Sequence, residues 1–127
     1  MSRCVVDSSV VLAFLLQEPG QELAAKLLQD CIISSVNLAE IVTKLTANGF
    51  SETEMAEDLT HLNLVIIPFD QPQAIATGLL RKTTRHKGLS LGDRACLALA
   101  LREKLPVYTT DKAWGDLNLG VDIRQLR

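Results

Sequence analysis

The sequence predicts an α/β domain in which a mostly parallel central sheet of about five strands is flanked by helices. Short runs of β-branched residues alternate along the chain with longer stretches of helical periodicity. These short runs are apolar at nearly every position, which is typical of parallel strands covered on both faces. The chain has no linker, repeat or low-complexity tract, so residues 1–127 are predicted to form a single domain.

Each predicted strand is one of these apolar runs. In chain order they are CVVD (4–7), CIIS (31–34), LVIIPF (64–69), PVYTT (106–110) and GVDIR (120–124). The predicted helices span 8–16, 20–29, 36–47, 52–62, 71–86 and 91–104. In 36–47 apolar residues recur at i, i+3, i+4 and i+7, as expected for an amphipathic helix. Residues 95–101 are apolar at every position, which predicts a helix buried near the centre of the fold.

The composition excludes two classes of nucleic-acid binder. The chain has 13 Lys and Arg against 15 Asp and Glu, a net charge of −2, so it is not a uniformly basic protein. A locally basic face on an acidic body remains compatible with this balance. Aromatic residues make up only 4% of the chain, which argues against a surface that stacks bases on aromatic rings.

The cysteines and the hydropathy pattern predict a cytoplasmic protein that does not contact a membrane. Cys4, Cys31 and Cys96 have apolar neighbours and no Cys-x-x-Cys spacing, so we expect small core residues in a reducing compartment. The N-terminal segment is faintly similar to a signal peptide, but Asp7 interrupts its apolar run. No segment approaches the ~20 apolar residues that a spanning helix needs.

Five acidic residues lie where strands end or helices begin. Asp7 follows the first strand, and Glu40 lies in the first turns of the helix after the second strand. Asp93 begins the buried helix, Asp111 follows the fourth strand, and Asp116 comes five residues later. The carboxyl ends of parallel strands form one edge of a sheet, where ligands bind. We therefore expect these acids to gather at that edge.

Taken singly, each acid also has a structural explanation. The segment SLGD (90–93) has the form of a capping box before an apolar run. Glu40 lies opposite the apolar stripe of its helix, as a solvated glutamate would. Three further aspartates precede helical segments as acceptable N-caps: Asp7, Asp70 and Asp111.

Taken together, the acids favour a cation site. Carboxylates at one edge repel each other, and no Lys or Arg accompanies them at a fixed short spacing. Oxygen ligands without Cys or His suit Mg²⁺ or Mn²⁺ rather than zinc. These cations bind phosphates, so the residues themselves predict a phosphodiester or phosphoryl substrate.

Four segments of the chain resemble the motif blocks of the PIN-domain family, in particular its small VapC-type ribonuclease toxins. They are VVDSSV (5–10), SSVNLAEI (34–41), LSLGDRACLALA (89–100) and VYTTDKAW (107–114), and they span almost the whole chain. The third is the most specific. The resemblance implies a parallel sheet flanked by helices and a metal-dependent endoribonuclease, the toxin of a type II toxin–antitoxin pair.

The resemblance also implies roles for individual residues. The catalytic, metal-binding acids would be Asp7, Glu40, Asp93 and Asp111, with Asp116 as a further candidate ligand. Bound Mg²⁺, or Mn²⁺ in its place, would activate water to hydrolyse RNA, leaving a 3′-hydroxyl and a 5′-phosphate. Thr110 matches a family position that has a hydroxyl or a small residue near the site. Ser8 and Ser9 have no base partner, so we expect them to start the helix or contact metal-bound water.

Basic residues just before the Asp93 block are candidates for binding RNA phosphates. The segment RKTTRHKG (81–88) contains four of them, Arg81, Lys82, Arg85 and Lys87, and Arg94 adjoins Asp93. Basic residues at a helix C-terminus also complement the helix dipole, which is an equally good explanation of the segment.

Partners follow from the same resemblance, since the family commonly forms homodimers and binds a cognate antitoxin that blocks the site. The segments 8–29 and 50–62 could supply apolar surface for both contacts, although most of their side chains are expected to be core. The alternatives are a PIN-type nuclease that processes RNA outside a toxin system and a PIN-like scaffold without catalysis. A third alternative is a phosphoacceptor module that uses Asp70 together with Thr109 or Thr110.

Overall fold

A computed structural model describes residues 3–127, so Met1 and Ser2 of the predicted domain lie outside the described residues. The five strands are β1 (Cys4–Val6), β2 (Cys31–Ser34), β3 (Val65–Ile67), β4 (Val107–Thr109) and β5 (Ile123–Gln125). The six α-helices are α1 (Ser8–Leu15), α2 (Gln21–Leu27), α3 (Ser35–Ala47), α4 (Glu52–Leu62), α5 (Gln71–Thr84) and α6 (Leu91–Glu103). Two 3₁₀ turns cover Arg85–Lys87 and Lys112–Trp114.

All five strands pair in parallel, in the order β3-β2-β1-β4-β5. The predicted α/β fold with a parallel sheet flanked by helices is therefore confirmed. The chain builds outward from β1 to β3, then returns to the other side of β1 to form β4 and β5. The carboxyl ends of β1 and β4 thus border the point where the strand order reverses, which is where open α/β sheets bind ligands.

Two layers of helices cover the sheet. Cys4 and Val6 point to one face, where they pack with buried residues of α1, α2 and α3. Val5 lies between them in sequence and points to the other face, against α6 and Trp114. The side chains of the central strands are buried on both faces, which explains why the sequence of these strands is continuously apolar.

The edge strands differ most from their predicted bounds. The strand predicted at 120–124 lies at Ile123–Gln125, because Gly120 adopts a left-handed turn (φ +81°) before it. The strand predicted at 64–69 ends before Pro68, which has no N–H for a ladder. Both edge strands are half-exposed, so their hydrophobic pattern is weaker than that of the central strands.

Most apolar side chains of the segments 8–29 and 50–62 belong to the core, as the sequence predicted. Helix α1 places Val10, Val11 and Ala13 in the core, and the half-buried Leu59 and Leu62 of α4 pack against the same cluster. Among residues 3–127 the large exposed hydrophobic side chains are Val65, Ile75, Leu79 and Leu91. No helix in this part of the chain is long and apolar enough to cross a membrane.

Candidate active site

Asp7 lies at the centre of the candidate site, directly after β1 at the reversal point of the sheet. It is 5% exposed and caps α1, with its Oδ1 accepting a hydrogen bond from the Ser9 N–H at 3.0 Å. The Ser9 hydroxyl donates to the same oxygen. Burial raises the pKa of Asp7 to about 6, against the hydrogen bonds, which lower it.

Two hydroxyl groups join Asp7 to the end of β4. Thr109 donates from Oγ1 to Asp7 Oδ2 at 2.8 Å and accepts from the Asp111 N–H at 3.0 Å. Ser9 Oγ accepts from the Thr110 N–H at 3.0 Å. The sequence pointed to Thr110 as the hydroxyl near the site, but only the backbone of Thr110 takes part in this network. Of the two threonines, Thr109 is the one whose hydroxyl contacts an acid, because alternation along β4 points it inward.

Asp93 occupies the third position of α6, within the capping box that the sequence predicted. Its N–H donates to Ser90 Oγ at 3.1 Å, and its Oδ2 accepts from the Ser90 N–H at 3.0 Å. Its Oδ1 accepts no hydrogen bond from residues 3–127. The cap and the candidate site therefore use different oxygens of one carboxylate. The negative charge of Asp93 contributes to the raised pKa of Asp7, so the two acids are close enough to interact.

Glu40 is not the solvated glutamate that its place on the helix suggested. Its side chain lies between α3 and α6 and accepts a hydrogen bond from Asn37 Nδ2 at 2.8 Å through Oε1. The carboxylate packs directly on Gly92, which neighbours Asp93. Asn37 and Gly92 could not be identified from the sequence, since the role of each depends on packing between α3 and α6.

Asp111 caps the 3₁₀ turn that follows β4. Its Oδ1 accepts from the Ala113 N–H at 2.9 Å, and its Oδ2 accepts no hydrogen bond in the described part of the chain. Its backbone carbonyl accepts from Gln125 Nε2 at 3.0 Å, which ties the turn to β5. Asp111 thus flanks the same edge of the sheet as Asp7, through the neighbouring strand.

The acids share one electrostatic environment. Burial raises the pKa of the Cys96 thiol well above its ordinary range, and three carboxylates raise it further, those of Asp7, Asp93 and Glu40. No Lys or Arg among residues 3–127 forms an ion pair with any of the four predicted catalytic acids. This concentration of negative charge favours a bound cation.

The carboxylates at this edge are the kind of ligand that a hard divalent cation prefers, although they are not arranged around one point. No group of three or more His, Cys, Asp or Glu side chains in residues 3–127 is placed to hold a metal ion. The donors available at this edge are nevertheless all oxygens, and the burial of Asp7 disfavours its charge in the absence of a counter-ion. Both properties suit Mg²⁺ or Mn²⁺.

The other predicted site residues differ in their contacts and in their exposure. Asp116 is exposed and pairs with Lys87 at 2.6 Å, which holds the pKa of Asp116 below its usual value. Arg94 Nη1 donates to the Thr77 carbonyl of α5 at 3.1 Å. The remaining basic side chains of the segment are exposed at the end of α5: Arg81, Lys82 and Arg85.

Asp70 lies apart from the site. It caps α5, accepting from the Gln73 N–H at 3.0 Å, and it follows β3 at the outer edge of the sheet. It also lies 3.7 Å from Arg102 in an exposed ion pair. The capping explanation given by the sequence is confirmed for Asp70, and its position on an edge strand does not suit a phosphoacceptor at the reversal point.

Two open grooves meet the site on either side of α3. One, of about 460 Å³, lies between α3 and the start of α6 and includes Glu40 and Gly92. The other, of about 390 Å³, lies between α1 and α3 and includes Ser8 and Ser9. Lys44 borders both grooves and is the one Lys or Arg that does so in the described residues.

Comparison with known proteins places this geometry in a family. Residues 4–118 match the model of the PIN domain. No curated protein matches the chain in sequence. Among solved structures, the fold is similar to a toxin–antitoxin complex from Klebsiella pneumoniae, with a TM-score of 0.73, 18% identity and 98% of each chain covered.

Two further structures share the fold over nearly their whole length. DNA-bound VapBC from Salmonella typhimurium has a TM-score of 0.70 and 19% identity, with 100% of both chains covered. FitAcB from Neisseria gonorrhoeae has a TM-score of 0.70 and 23% identity, with 97% of both chains covered. At these identities the similarity establishes a common fold.

Proposed function

Because the chain belongs to the PIN-domain family, we propose that it is a metal-dependent endoribonuclease and the toxin of a type II toxin–antitoxin pair. It would act in the cytoplasm, on phosphodiester bonds of RNA. The three buried free cysteines are in keeping with a reducing compartment.

The proposal rests chiefly on Asp7. A carboxylate that is 5% exposed, with Asp93 close by and no cationic partner among the described residues, costs folding free energy when it ionises. Helix capping alone does not require this cost, because an asparagine at the same position caps a helix equally well. A site that must bind a cation does require the charge.

The chain's own residues would divide the work between holding ligands and positioning them. Asp7, Glu40, Asp93 and Asp111 would bind Mg²⁺ or Mn²⁺, with Asp116 as a further candidate. The cation would supply a more acidic water and neutralise charge that develops on the phosphate. Thr109 of β4 and Ser9 of α1 fix the Asp7 carboxylate between these two elements. The Ser90 cap fixes Asp93 while leaving its Oδ1 free of protein partners in residues 3–127.

The RNA would approach along the two grooves beside α3. Lys44 borders both grooves, and three exposed basic residues lie just before α6: Arg81, Lys82 and Arg85. These cations can neutralise RNA phosphates near an acidic centre. Ser8 and Thr110 lie on the same side and are proposed as further substrate contacts, while the Arg94 guanidinium is engaged with α5.

A cognate antitoxin and a second copy of the chain are the proposed protein partners. Support comes from the folds that this chain shares, which include a structure described as a toxin–antitoxin complex and two named VapBC and FitAcB. A small reading frame directly beside the gene would favour the toxin over a PIN-type nuclease in RNA processing.

Incubation with total RNA, with and without Mn²⁺, tests the proposed activity directly. We expect cleavage only with the metal, and products with 5′-phosphate and 3′-hydroxyl ends when the ends are mapped. Asp93→Asn should abolish the cleavage without unfolding the chain. Metal-independent cleavage, or none under any divalent cation, would contradict the proposal.

A further inference from the structure

Glu40 is held by a contact that only glycine allows. Gly92 lies in the first turn of α6 in an ordinary helical conformation, so backbone strain does not explain a glycine there. A Cβ at position 92 would lie 2.5 Å from Glu40 Oε1 and closer still to Cδ and Oε2. Any larger residue would therefore push the carboxylate away from α6.

Asn37 fixes the same carboxylate from the other side. It is 1% exposed, and its Nδ2 donates to Glu40 Oε1 at 2.8 Å and to the Gly92 carbonyl at 3.1 Å. Both partners are acceptors, so the amide must present its NH₂ group to them. One side chain thereby links α3 to α6 and sets the position of Glu40 relative to both.

The contact orients a charged group without neutralising it. A Lys or Arg in place of Asn37 would pair with Glu40 and compete with a bound cation, whereas a neutral amide does not. Glu40 Oε2 accepts no hydrogen bond from residues 3–127. Asp93, the next residue after Gly92, shares this environment, so the contact also sets the spacing between two acids.

We propose that Asn37 and Gly92 are positioning residues that form a seat for Glu40 and tune the affinity of the site for a divalent cation. The inference rests on the proposed metal-dependent function. Partners that orient a ligand typically change metal affinity by about 10–100-fold when they are lost. The seat consists of the Asn37 amide and the bare Gly92 backbone, joined across the α3–α6 contact.

A titration of the full chain with Mn²⁺ tests the seat. The electron paramagnetic resonance signal of free Mn²⁺ reports how much of the metal is bound. We expect Gly92→Ala and Asn37→Ala each to weaken Mn²⁺ binding at least about tenfold. The metal-free melting temperature of Gly92→Ala should equal or exceed that of the wild type, because alanine is the better helix former. Gly78→Ala is the matched control, since Gly78 is helical and a Cβ there meets nothing within 4 Å.

A double-mutant cycle with Glu40→Ala shows whether Gly92 acts through Glu40. Once the carboxylate is gone, Gly92→Ala should weaken Mn²⁺ binding no further. If the wild type binds Mn²⁺ and cleaves RNA while Gly92→Ala binds as tightly, the seat is refuted and the proposed function stands. An undiminished effect of Gly92→Ala in the Glu40→Ala chain would also refute it. If the wild type binds no Mn²⁺, the proposed function and the seat both fail.

Discussion

At the scale of the residue, Asp7 makes stability depend on pH in a direction opposite to that of most paired carboxylates. Its pKa rises from an ordinary 3.8 to about 6 in the folded chain, mainly because it is buried. Between these values the folded chain retains a proton that the unfolded chain has lost. The free energy of unfolding therefore decreases as pH rises through this window. Above about pH 6 the chain bears the full loss of stability that ionisation of the buried Asp7 causes.

Asp7→Asn should remove this dependence. Without metal, we expect the free energy of unfolding of the variant to equal that of the wild type near pH 4. Near pH 7 it should be higher by on the order of 3 kcal/mol, less any weakening of the Thr109 hydrogen bond. Urea unfolding in EDTA between pH 4 and 8 measures the difference. Parallel curves for the two chains across this range would show that Asp7 titrates normally.

Asp93 and Asp70 allow capping to be separated from catalysis, since both cap helices in the structure. Asn at either position keeps a side-chain oxygen for the cap. Without metal, we expect the free energy of unfolding of each variant to lie within about 1 kcal/mol of the wild-type value. Asp93→Asn loses only a favourable interaction with the helix dipole, and Asp70→Asn loses only an exposed ion pair. Only Asp93→Asn should lose RNA cleavage.

The comparison of cleavage rate and metal-free melting temperature decides between the two roles. An active Asp93→Asn chain, or one inactive only because it is unfolded, would leave Asp93 as a helix cap alone. Loss of cleavage in Asp70→Asn would instead point to a function for the edge strand.

At the scale of the element, the segment at the end of α5 contains two kinds of basic residue. Lys87 is committed to Asp116 at 2.6 Å, whereas no ion pair of Arg81, Lys82 or Arg85 exists in the described residues. We expect the triple change of these three to glutamine to weaken RNA binding and to flatten its salt dependence by up to ~0.7 per lost phosphate contact.

Single variants refine this test. Lys44→Gln should lower the salt slope because Lys44 borders both grooves, while Lys87→Gln should change it little because its charge is already paired. Binding isotherms of a cleavage-deficient Asp93→Asn chain at several salt concentrations supply the slopes. An equal effect of Lys44→Gln and Lys87→Gln would mean that the grooves do not guide the RNA.

The helices and strands also show which features of the structure could be predicted from the sequence. The capping box at 90–93 appears as predicted because Ser90 and Asp93 determine it locally. The start of β5 was predicted three residues early, because an edge strand is half-exposed and its pattern gives a weak boundary. The contact of Asn37 with Gly92 joins positions 55 residues apart, so no local pattern records it.

At the scale of the whole molecule, a cation that binds only the folded chain should stabilise it. Mn²⁺ at 100 times its dissociation constant would add about 2.7 kcal/mol to the free energy of unfolding. We expect the melting temperature to rise with Mn²⁺ and the combined change Asp93→Asn plus Asp111→Asn to abolish the rise.

Asp116→Asn tests whether the further candidate ligand contributes to the same site. Asp116 is exposed and paired with Lys87, so we expect the variant to keep the Mn²⁺ effect. A loss of the effect would identify Asp116 as a fifth ligand. A wild-type melting curve that does not respond to millimolar Mn²⁺ would count against the site altogether.

The gathering of distant acids at one edge could be predicted because topology alone requires it. In a parallel sheet every strand ends at the same side, so Asp7 and Asp111 had to be neighbours once β1 and β4 were adjacent. Which threonine would contact Asp7 could not be predicted, because the strand predicted at 106–110 ends at Thr109 and Thr110 lies beyond it.

The order of the strands also has a consequence for synthesis of the protein. Asp7 precedes its partner Thr109 by 102 positions, and β4 fills the vacant side of β1 only after residues 107–109 have been made. A chain still emerging from the ribosome would have three of its strands and no complete catalytic edge. On the proposed function, a nascent chain is inactive until β4 has been made, and a product that terminates before β4 stays inactive.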